Sequence, residues 1–281
     1  MTSFVAWVGV DQRGPASVYL ASDSRISWEP TRVWDHGTKL FACHTGPHLL
    51  GYIGDVIFPS LVLAQITSAI DLGIVFHSDD DPPQRFLRIE SIVKSAFEGL
   101  PYPERRPFTI VYATRQLEQM NSTFHGFTLA WTPSAGWRRQ EITTPSTSRE
   151  MCILGSGGAA VSRWQERWDS SSQGGTSRAI FSAFCDAIHS GEDPLTGGAP
   201  QLVGLYRIGA GRPTGIVEDG RPFLFGIPLE LDVAQGIQNL EWRNSVFERC
   251  SASGTRLEDT HQHHVPKGLG RSRRSPPRSS A

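Results

Sequence analysis

The chain opens with Met1-Thr2-Ser3-Phe4-Val5-Ala6-Trp7-Val8-Gly9-Val10. This stretch is apolar and β-branched along most of its length, which is the pattern of a buried strand. Methionine aminopeptidases remove Met when the next residue is small, so we expect Thr2 to become the first residue of the mature protein. Thr2 would then carry both a hydroxyl and a free α-amine, whose unperturbed pKa of about 7.7–8.0 suits a base at neutral pH. One residue can therefore supply the nucleophile and the base of a hydrolase.

The composition is that of an ordinary globular protein. The 281 residues include 38% hydrophobic and 20% charged residues, with a net charge of −1. That balance gives no excess charge for nucleic acid or a membrane surface, so we expect neither as a partner. We predict one domain over residues 2–250 and a disordered tail over residues 251–281. The tail holds six basic and two acidic residues among Ser, Pro and Gly, with almost no apolar side chains.

Several features of the sequence are typical of a cytoplasmic protein. No apolar run reaches the roughly 18 residues of a transmembrane helix, and the first residues lack the basic region and cleavage site of a signal peptide. The four cysteines stand singly, without CxxC spacing. We therefore expect reduced thiols, a cytoplasmic location and no cofactor.

The order of the predicted elements indicates an α+β fold. A hairpin over residues 2–22, a loop over residues 26–35 and strands up to residue 52 precede two helices. Further strands, two more helices and a last group of strands follow. Two antiparallel sheets facing each other, with a pair of helices outside each, would form a four-layer αββα sandwich.

Five short motifs follow Thr2 in order along residues 2–225. They are Ala21-Ser22-Asp23-Ser24-Arg25, His36-Gly37-Thr38-Lys39, Leu50-Gly51-Tyr52, Gly155-Ser156-Gly157 and Asp193-Pro194-Leu195-Thr196-Gly197-Gly198. In this order they resemble the proteasome β-subunit family and its bacterial proteasome-like relatives, the N-terminal-nucleophile threonine peptidases. The sequence departs from the family in having Thr196 where Ser is usual, and in a longer separation between Thr2 and Asp23.

The resemblance implies an enzyme in which the Thr2 hydroxyl attacks an amide carbonyl. Lys39 would relay the proton, and Asp23 would pair with Lys39 and hold its charge in place. The amide of Gly51 would stabilise the oxyanion. The residues that would orient the Thr2 α-amine are Ser156, Asp193 and Thr196.

The resemblance also implies a substrate pocket beside the nucleophile. Its lining would be Ile26, Leu49 and Ile53, with Ile57 as a further candidate, and all four are aliphatic. Burying an apolar side chain there would gain about 1.5–3 kcal/mol, whereas a charged one would lack a partner. We therefore expect peptide or small amide substrates with large apolar residues at the cleaved bond. Members of the family assemble into rings, so a homo-oligomer is expected as well.

Two functions of different class remain open. The first is an active threonine hydrolase, and the second is an inactive proteasome-like scaffold or ring subunit that keeps the fold. In the second, Asp23 would only cap a turn and Lys39 would be a charge at a strand edge. The presence of Thr2 together with both residues favours the enzyme. The cluster His261-Gln262-His263-His264 is interpreted as a solvated part of the tail, and no metal site is predicted.

Overall fold

The computed structural model describes residues 2–29, 31–101, 104–258 and 265–269. Within these ranges the chain is a mixed α/β protein. Its strands are β1 (Phe4–Asp11), β2 (Gly14–Ser22), β3 (Ile26–Glu29), β4 (Arg32–Trp34), β5 (Leu40–Ala42), β6 (His48–Gly54), β7 (Phe108–Gln116), β8 (Thr123–Thr132), β9 (Gly136–Ile142), β10 (Arg149–Leu154), β11 (Gln201–Tyr206), β12 (Arg212–Glu218), β13 (Arg221–Leu224), β14 (Ile227–Pro228), β15 (Glu241–Asn244) and β16 (Arg249–Cys250). Its helices are α1 (Ile57–Asp71), α2 (Pro82–Glu98), α3 (Gly158–Asp169), α4 (Ser177–Ser190) and α5 (Leu231–Gly236).

The described strands form two large sheets and one small hairpin. The nine-stranded sheet runs β10-β1-β2-β11-β12-β13-β14, with β15 beside β12 and β16 beside β15. The five-stranded sheet runs β5-β6-β7-β8-β9, and β3 pairs with β4. The predicted hairpin of the first two strands is present, because β1 is antiparallel to β2 on one side and to β10 on the other.

The first strand contributes to two separate hydrophobic clusters. Phe4, Ala6 and Val8 belong to the cluster that the two large sheets share. Val5 and Trp7 belong to the cluster between the nine-stranded sheet and helices α3 and α4. Successive side chains of a strand point to opposite faces, so a strand buried on both faces has no position for a polar residue. This is why residues 4–10 of β1 carry no polar side chain.

A third cluster packs helices α1 and α2 on the five-stranded sheet. Phe58 of α1 and Phe97 of α2 meet Phe108 of β7, with ring centroids 5.0–5.5 Å apart. Helix α2 begins at a capping box, in which the Asp81 carboxylate accepts from the Gln84 amide and the Gln84 side chain accepts from the Asp81 amide. Both large sheets therefore carry a pair of helices.

Helix α1 exposes several large apolar residues. Ile57 and Leu61 are 67% and 61% exposed, and Leu72 beyond the last turn is 75% exposed. The helix buries the opposite side, including Phe58 and Leu63, against the five-stranded sheet. An almost uniformly apolar helix does not reveal from its sequence which side meets the sheet. No helix of the described residues has the length and apolar content needed to cross a membrane.

The loop prediction for residues 26–35 is wrong, since these residues form the β3–β4 hairpin. Its strands are only four and three residues long, too short for a periodic pattern to be recognised. At its base the Arg25 guanidinium donates to both oxygens of Asp35, at 2.7 and 2.8 Å. This bidentate pair joins the two ends of the hairpin.

The structure differs from the sequence prediction at the start of the tail. Ser251 donates its amide to the Thr255 carbonyl at 2.8 Å, and Arg256 forms a bridge with Cys250. Val265 and Leu269 pack against the buried Trp168 of α3. These few apolar side chains in a polar segment are what attach it to the fold. Residues 259–264, with the histidine cluster, and residues 270–281 lie outside the described residues.

Candidate active site

Thr2, Asp23 and Lys39 lie together in the structure. The Lys39 ammonium Nζ is 3.1 Å from Thr2 Oγ1 and 2.8 Å from Asp23 Oδ1. The exposed fractions of the three residues are 2%, 0% and 0%. The ammonium therefore donates to a hydroxyl and to a carboxylate away from competing water, which strengthens both hydrogen bonds.

Strand pairing explains how the three residues meet. Phe4 lies opposite Ser22 in the β1–β2 ladder, so the residues before β1 approach those after β2. The Asp23 amide accordingly donates to the Ser3 carbonyl at 3.2 Å. Lys39 immediately precedes β5 of the other large sheet. Its side chain therefore joins the two sheets at the end where β1 begins.

The Asp23 carboxylate accepts hydrogen bonds from several parts of the chain. Besides Lys39, Oδ1 accepts from the Ser3 amide at 3.1 Å. The other oxygen, Oδ2, accepts from the amides of Arg25 and Gly197, both at 3.1 Å. A residue that only capped its own turn would need the Arg25 contact alone. The donors from Lys39 and Gly197 argue for a carboxylate held in a defined position.

Burial acts on both members of the ion pair. It raises the pKa of the Asp23 carboxyl, while Lys39 and the backbone amides oppose the increase. It lowers the pKa of the Lys39 ammonium, while Asp23 opposes the decrease. An ammonium with a lowered pKa exchanges a proton with a neighbouring hydroxyl more readily than an exposed lysine does.

Two backbone contacts of Lys39 were not predicted from the sequence. The Gln201 side chain accepts from the Lys39 amide through Oε1 at 3.1 Å. The Tyr52 amide donates to the Lys39 carbonyl at 3.2 Å. Gln201 is 1% exposed and begins the otherwise apolar strand β11. A lone amide at the head of an apolar strand, shortly after Gly197-Gly198, is the signal that could have identified it.

Ser156, Asp193 and Thr196 form a second group beside Thr2. Ser156 Oγ donates to Asp193 Oδ2 at 2.6 Å, and Thr196 Oγ1 donates to the Asp193 carbonyl at 3.2 Å. Gly157 connects this group with the nucleophile, since its amide donates to the Thr2 carbonyl at 3.5 Å. A Cβ at Gly157 would lie 3.1 Å from Thr196 Cγ2. The backbone of Gly157 thus links this hydrogen-bonded group to the segment that carries Thr2.

Glycine is required at both ends of the Gly-Ser-Gly motif. Gly155 has a φ of +91°, and a Cβ there would lie 1.9 Å from the Thr2 carbonyl oxygen. A Cβ at Gly157 would lie 1.9 Å from the Ser3 hydroxyl. The contact at Gly155 is with the main chain, so a larger residue there would displace the segment that holds Thr2, whereas at Gly157 the Ser3 hydroxyl would have to move.

Gly51 lies inside the five-stranded sheet, opposite Leu40 of β5 and Val111 of β7. A Cβ at this position would be 2.7 Å from Phe4 Cε2 and 2.9 Å from Leu40 Cδ2. The glycine therefore lets the Phe4 ring, two residues beyond Thr2, pack closely on β6. This contact ties the strand of the nucleophile to the strand of the predicted oxyanion donor.

The four predicted pocket residues differ in burial and surroundings. Ile26 is 8% exposed and packs over Gly37, where a Cβ would meet its Cδ1 at 2.3 Å. Leu49 has no exposed surface and lies in the cluster shared by the two sheets, where Ile53 is half-buried beside it. Ile57 is exposed on α1. Of the four residues, only Ile26 is close to Asp23 in the sequence, three positions after it.

An open cavity of about 420 Å³ adjoins the site. Arg25, Thr196 and Gly197 contribute to its wall, whereas Thr2 and Lys39 do not. Among the residues that the structure describes, no three His, Cys, Asp or Glu side chains are grouped so as to hold a metal ion. The described site itself offers hydroxyl, ammonium, carboxylate and backbone amide groups.

Comparison with known proteins finds similarity at the level of structure. No protein-family model matches the sequence, and no curated protein matches it. An Anbu (Gly-1) mutant from Hyphomicrobium sp. strain MC1 superposes with a TM-score of 0.50 at 11% identity, covering 80% of this chain and 88% of that one. Anbu, an ancestral β-subunit, from Yersinia bercovieri gives 0.50 at 8% identity, covering 72% and 81%.

A third solved structure, eukaryotic HslV from Trypanosoma brucei, gives a TM-score of 0.45 at 12% identity, covering 72% of this chain and 99% of that one. At identities this low, what the chain shares with the two Anbu structures is the fold. The proteasome-like resemblance of the sequence motifs is thus supported at the level of the fold.

Proposed function

We propose that this chain is a threonine-type N-terminal-nucleophile hydrolase that cleaves amide bonds in peptides or small amides. The observation that carries the proposal is the buried contact of Lys39 Nζ with Thr2 Oγ1 at 3.1 Å and with Asp23 Oδ1 at 2.8 Å. A buried ion pair seldom stabilises a fold more than apolar side chains of similar volume. A subunit with only a structural role would gain little from it, whereas a hydrolase needs a base-assisted hydroxyl.

In the proposed first step, Thr2 Oγ1 forms a bond to the carbonyl carbon of the substrate. Its proton passes to the free α-amine of Thr2, while Lys39 Nζ stabilises the oxygen by a hydrogen bond. The carbonyl electron pair moves to the oxygen, and the Gly51 amide is the proposed donor to this oxyanion. When the carbon–nitrogen bond breaks, the leaving amine takes the proton from the α-amine, and an ester on Thr2 remains.

In the proposed second step, water attacks the ester. The α-amine takes a proton from the water, a second oxyanion forms, and the bond to Thr2 Oγ1 breaks as that oxygen regains a proton. The acid product leaves and the free hydroxyl is restored. The proposed role of Ser156, Asp193 and Thr196 is to hold the α-amine in the orientation that both steps require.

We propose further that residues 2–250 form one cytoplasmic domain with the four-layer αββα architecture of the proteasome-like hydrolases. Support comes from the three hydrophobic clusters, which pair α1 and α2 with one sheet, the two sheets with each other, and the second sheet with α3 and α4. The shared fold of the Anbu structures is consistent with this arrangement.

Intact-mass measurement tests the proposal. Protein purified under native conditions is expected to lack the methionine residue at position 1, because only then is the Thr2 α-amine free to act as a base. Incubation with a threonine-reactive β-lactone is then expected to add one probe per chain, located on Thr2 by peptide mapping. The control is the same incubation in denaturant, which separates Lys39 and Asp23 from Thr2 and should give no adduct.

A different result of these two measurements would contradict or narrow the proposal. Protein that keeps Met1 and stays unmodified by the lactone contradicts the hydrolase and supports the inactive scaffold. If the protein reacts with the lactone but cleaves no peptide of any class, the proposed hydrolase chemistry stands and small amides become the proposed substrates.

We also propose that the chain forms a homo-oligomer, which would explain the exposed apolar stripe of α1. Ile57 and Leu61 are 67% and 61% exposed on one side of this helix. Light scattering is expected to give a multiple of the 31.0 kDa chain mass. Leu61→Glu is expected to dissociate the assembly, because a buried unpaired carboxylate is costly, whereas Gln140→Glu, which adds the same charge on the exposed part of β9, should not. A wild-type monomer would contradict the proposal.

A further inference from the structure

The buried side chain of Gln201 uses its amide group on three separate backbone positions. Nε2 donates to the Asp23 carbonyl at 3.1 Å and to the Gly37 carbonyl at 2.7 Å. Oε1 accepts from the Lys39 amide at 3.1 Å. Both amide protons and one acceptor are thus engaged, so a flipped amide would place its oxygen against two carbonyls. The orientation of this side chain is therefore determined by its contacts.

These contacts join the two halves of the ion pair. Gln201 lies opposite Ser22 in the β11–β2 ladder, so its backbone belongs to the same sheet as the strand that ends at Asp23. Residues 36–39 belong to no strand or helix, and Lys39 precedes the first residue of β5. The Gln201 amide therefore bonds the irregular segment that carries Lys39, at the point where strand pairing has not yet begun.

We propose that Gln201 is a positioning residue that holds Lys39 within reach of Thr2 and Asp23. It acts through the backbone, since each of its three contacts is to a main-chain atom of the segments that carry the ion pair. The proposal rests on the function proposed above. It adds that the distance between Lys39 and Thr2 is maintained by a side chain from a strand that contributes no reacting group.

The test uses the inactivation of the full-length protein by a β-lactone, measured as a maximal rate and a half-saturating concentration across pH. Gln201→Met keeps the volume and removes all three hydrogen bonds. It is expected to lower the maximal rate about 10- to 100-fold, because a displacement near 1 Å has this effect on a reacting pair. The half-saturating concentration of the lactone should change little, since Gln201 contacts only backbone atoms of Asp23, Gly37 and Lys39.

Gln201→Glu provides a second variant of the same size that keeps an acceptor and loses both donors. Its maximal rate is expected to fall as well. In addition, its rate profile should move to higher pH, because an added carboxylate raises the pKa of nearby amines. This shift reports only that position 201 is near the amines of the site, whereas a fall in the maximal rate of both variants at an unchanged half-saturating concentration is the result that a positioning role predicts. The variant also keeps the proposal testable when Gln201→Met does not fold.

Gln165→Met is the matched control. Gln165 is 4% exposed and donates through Nε2 to Asp169 Oδ1 at 3.0 Å on α3, away from Thr2. It should keep the wild-type rate and pH profile. If both Gln201 variants react like wild type, whatever their melting temperatures, the inference is overturned. If wild-type protein fails to react with the lactone, the proposed function is overturned and this inference falls with it.

Discussion

Replacing Thr2 with alanine is expected to remove reaction with the lactone and hydrolysis of any amide substrate, by at least about 1,000-fold. Thr2 Oγ1 is the hydroxyl that Lys39 Nζ contacts at 3.1 Å. Alanine is also small, so the preceding methionine should still be removed and the α-amine should still be free. The variant therefore loses the nucleophile and keeps the base.

The stability of Thr2→Ala should remain close to that of wild type. One hydrogen bond to Lys39 is lost, which is worth about 1 kcal/mol, while the Lys39–Asp23 contact is kept. Chemical denaturation would measure this difference. Thr2→Ser is the matched control, since it restores the hydroxyl, and it should recover reaction with the lactone. Wild-type turnover in Thr2→Ala would place the nucleophile elsewhere and contradict the proposed function.

Lys39→Met is expected to have the largest effect on stability together with a loss of activity. It leaves the Asp23 carboxylate buried with only backbone amides as partners. Removing one partner of a buried ion pair costs about 3–5 kcal/mol of the free energy of unfolding. Loss of the ammonium beside Thr2 should lower the rate of lactone reaction at least about 100-fold.

A double-mutant cycle separates the two effects. Asp23→Asn in the Lys39→Met background removes the buried carboxylate charge that has lost its ammonium partner. It should therefore recover part of the lost stability. Activity should stay at the level of Lys39→Met, since the amine beside Thr2 is still missing. Urea denaturation and lactone labelling of the four proteins provide the measurements.

Lys94→Met is the control for removing a lysine from an ion pair. Lys94 pairs with Glu90 at 2.6 Å as an i,i+4 pair on α2, with side chains 37% and 10% exposed, and Glu90 keeps Arg139 as a second partner at 3.3 Å. Such a pair contributes about 0.3–0.5 kcal/mol, so stability and labelling should be nearly unchanged. If Lys39→Met kept wild-type labelling, Lys39 would have no part in the reaction.

Part of the candidate site was predictable because it depends on local sequence. The hairpin that brings Asp23 back to Thr2 follows from two apolar strands and a short turn, and its ladder pairs Phe4 with Ser22. Gly155 and Gly157 were singled out because the Gly-Ser-Gly motif resembles that of the proteasome-like family, and the structure shows the close contacts with Thr2 and Ser3 that favour glycine there. Local periodicity and glycine placement carry this information directly.

The burial of the predicted pocket residues could not be predicted in the same way. Leu49 and Ile57 differ little as aliphatic residues, yet one has no exposed surface and the other is 67% exposed. Their positions depend on which side of β6 and of α1 faces a neighbouring layer. A one-residue change of register or a rotation of the helix would exchange these environments, and hydrophobicity alone does not distinguish them.

The sequence by itself determined the buried first strand and its hairpin, through apolar runs and a short turn, and the motifs that resemble the proteasome-like family implied the set of Thr2, Asp23 and Lys39. Only the tertiary structure decided that Gly197 donates to Asp23 and that Gln201 holds the Lys39 segment. Both contacts join residues more than 150 positions apart in the chain. The first depends on the pairing of β2 with β11, and the second on the approach of the segment before β5 to β11 of the other sheet. No local pattern of residues records which polar group will then meet which.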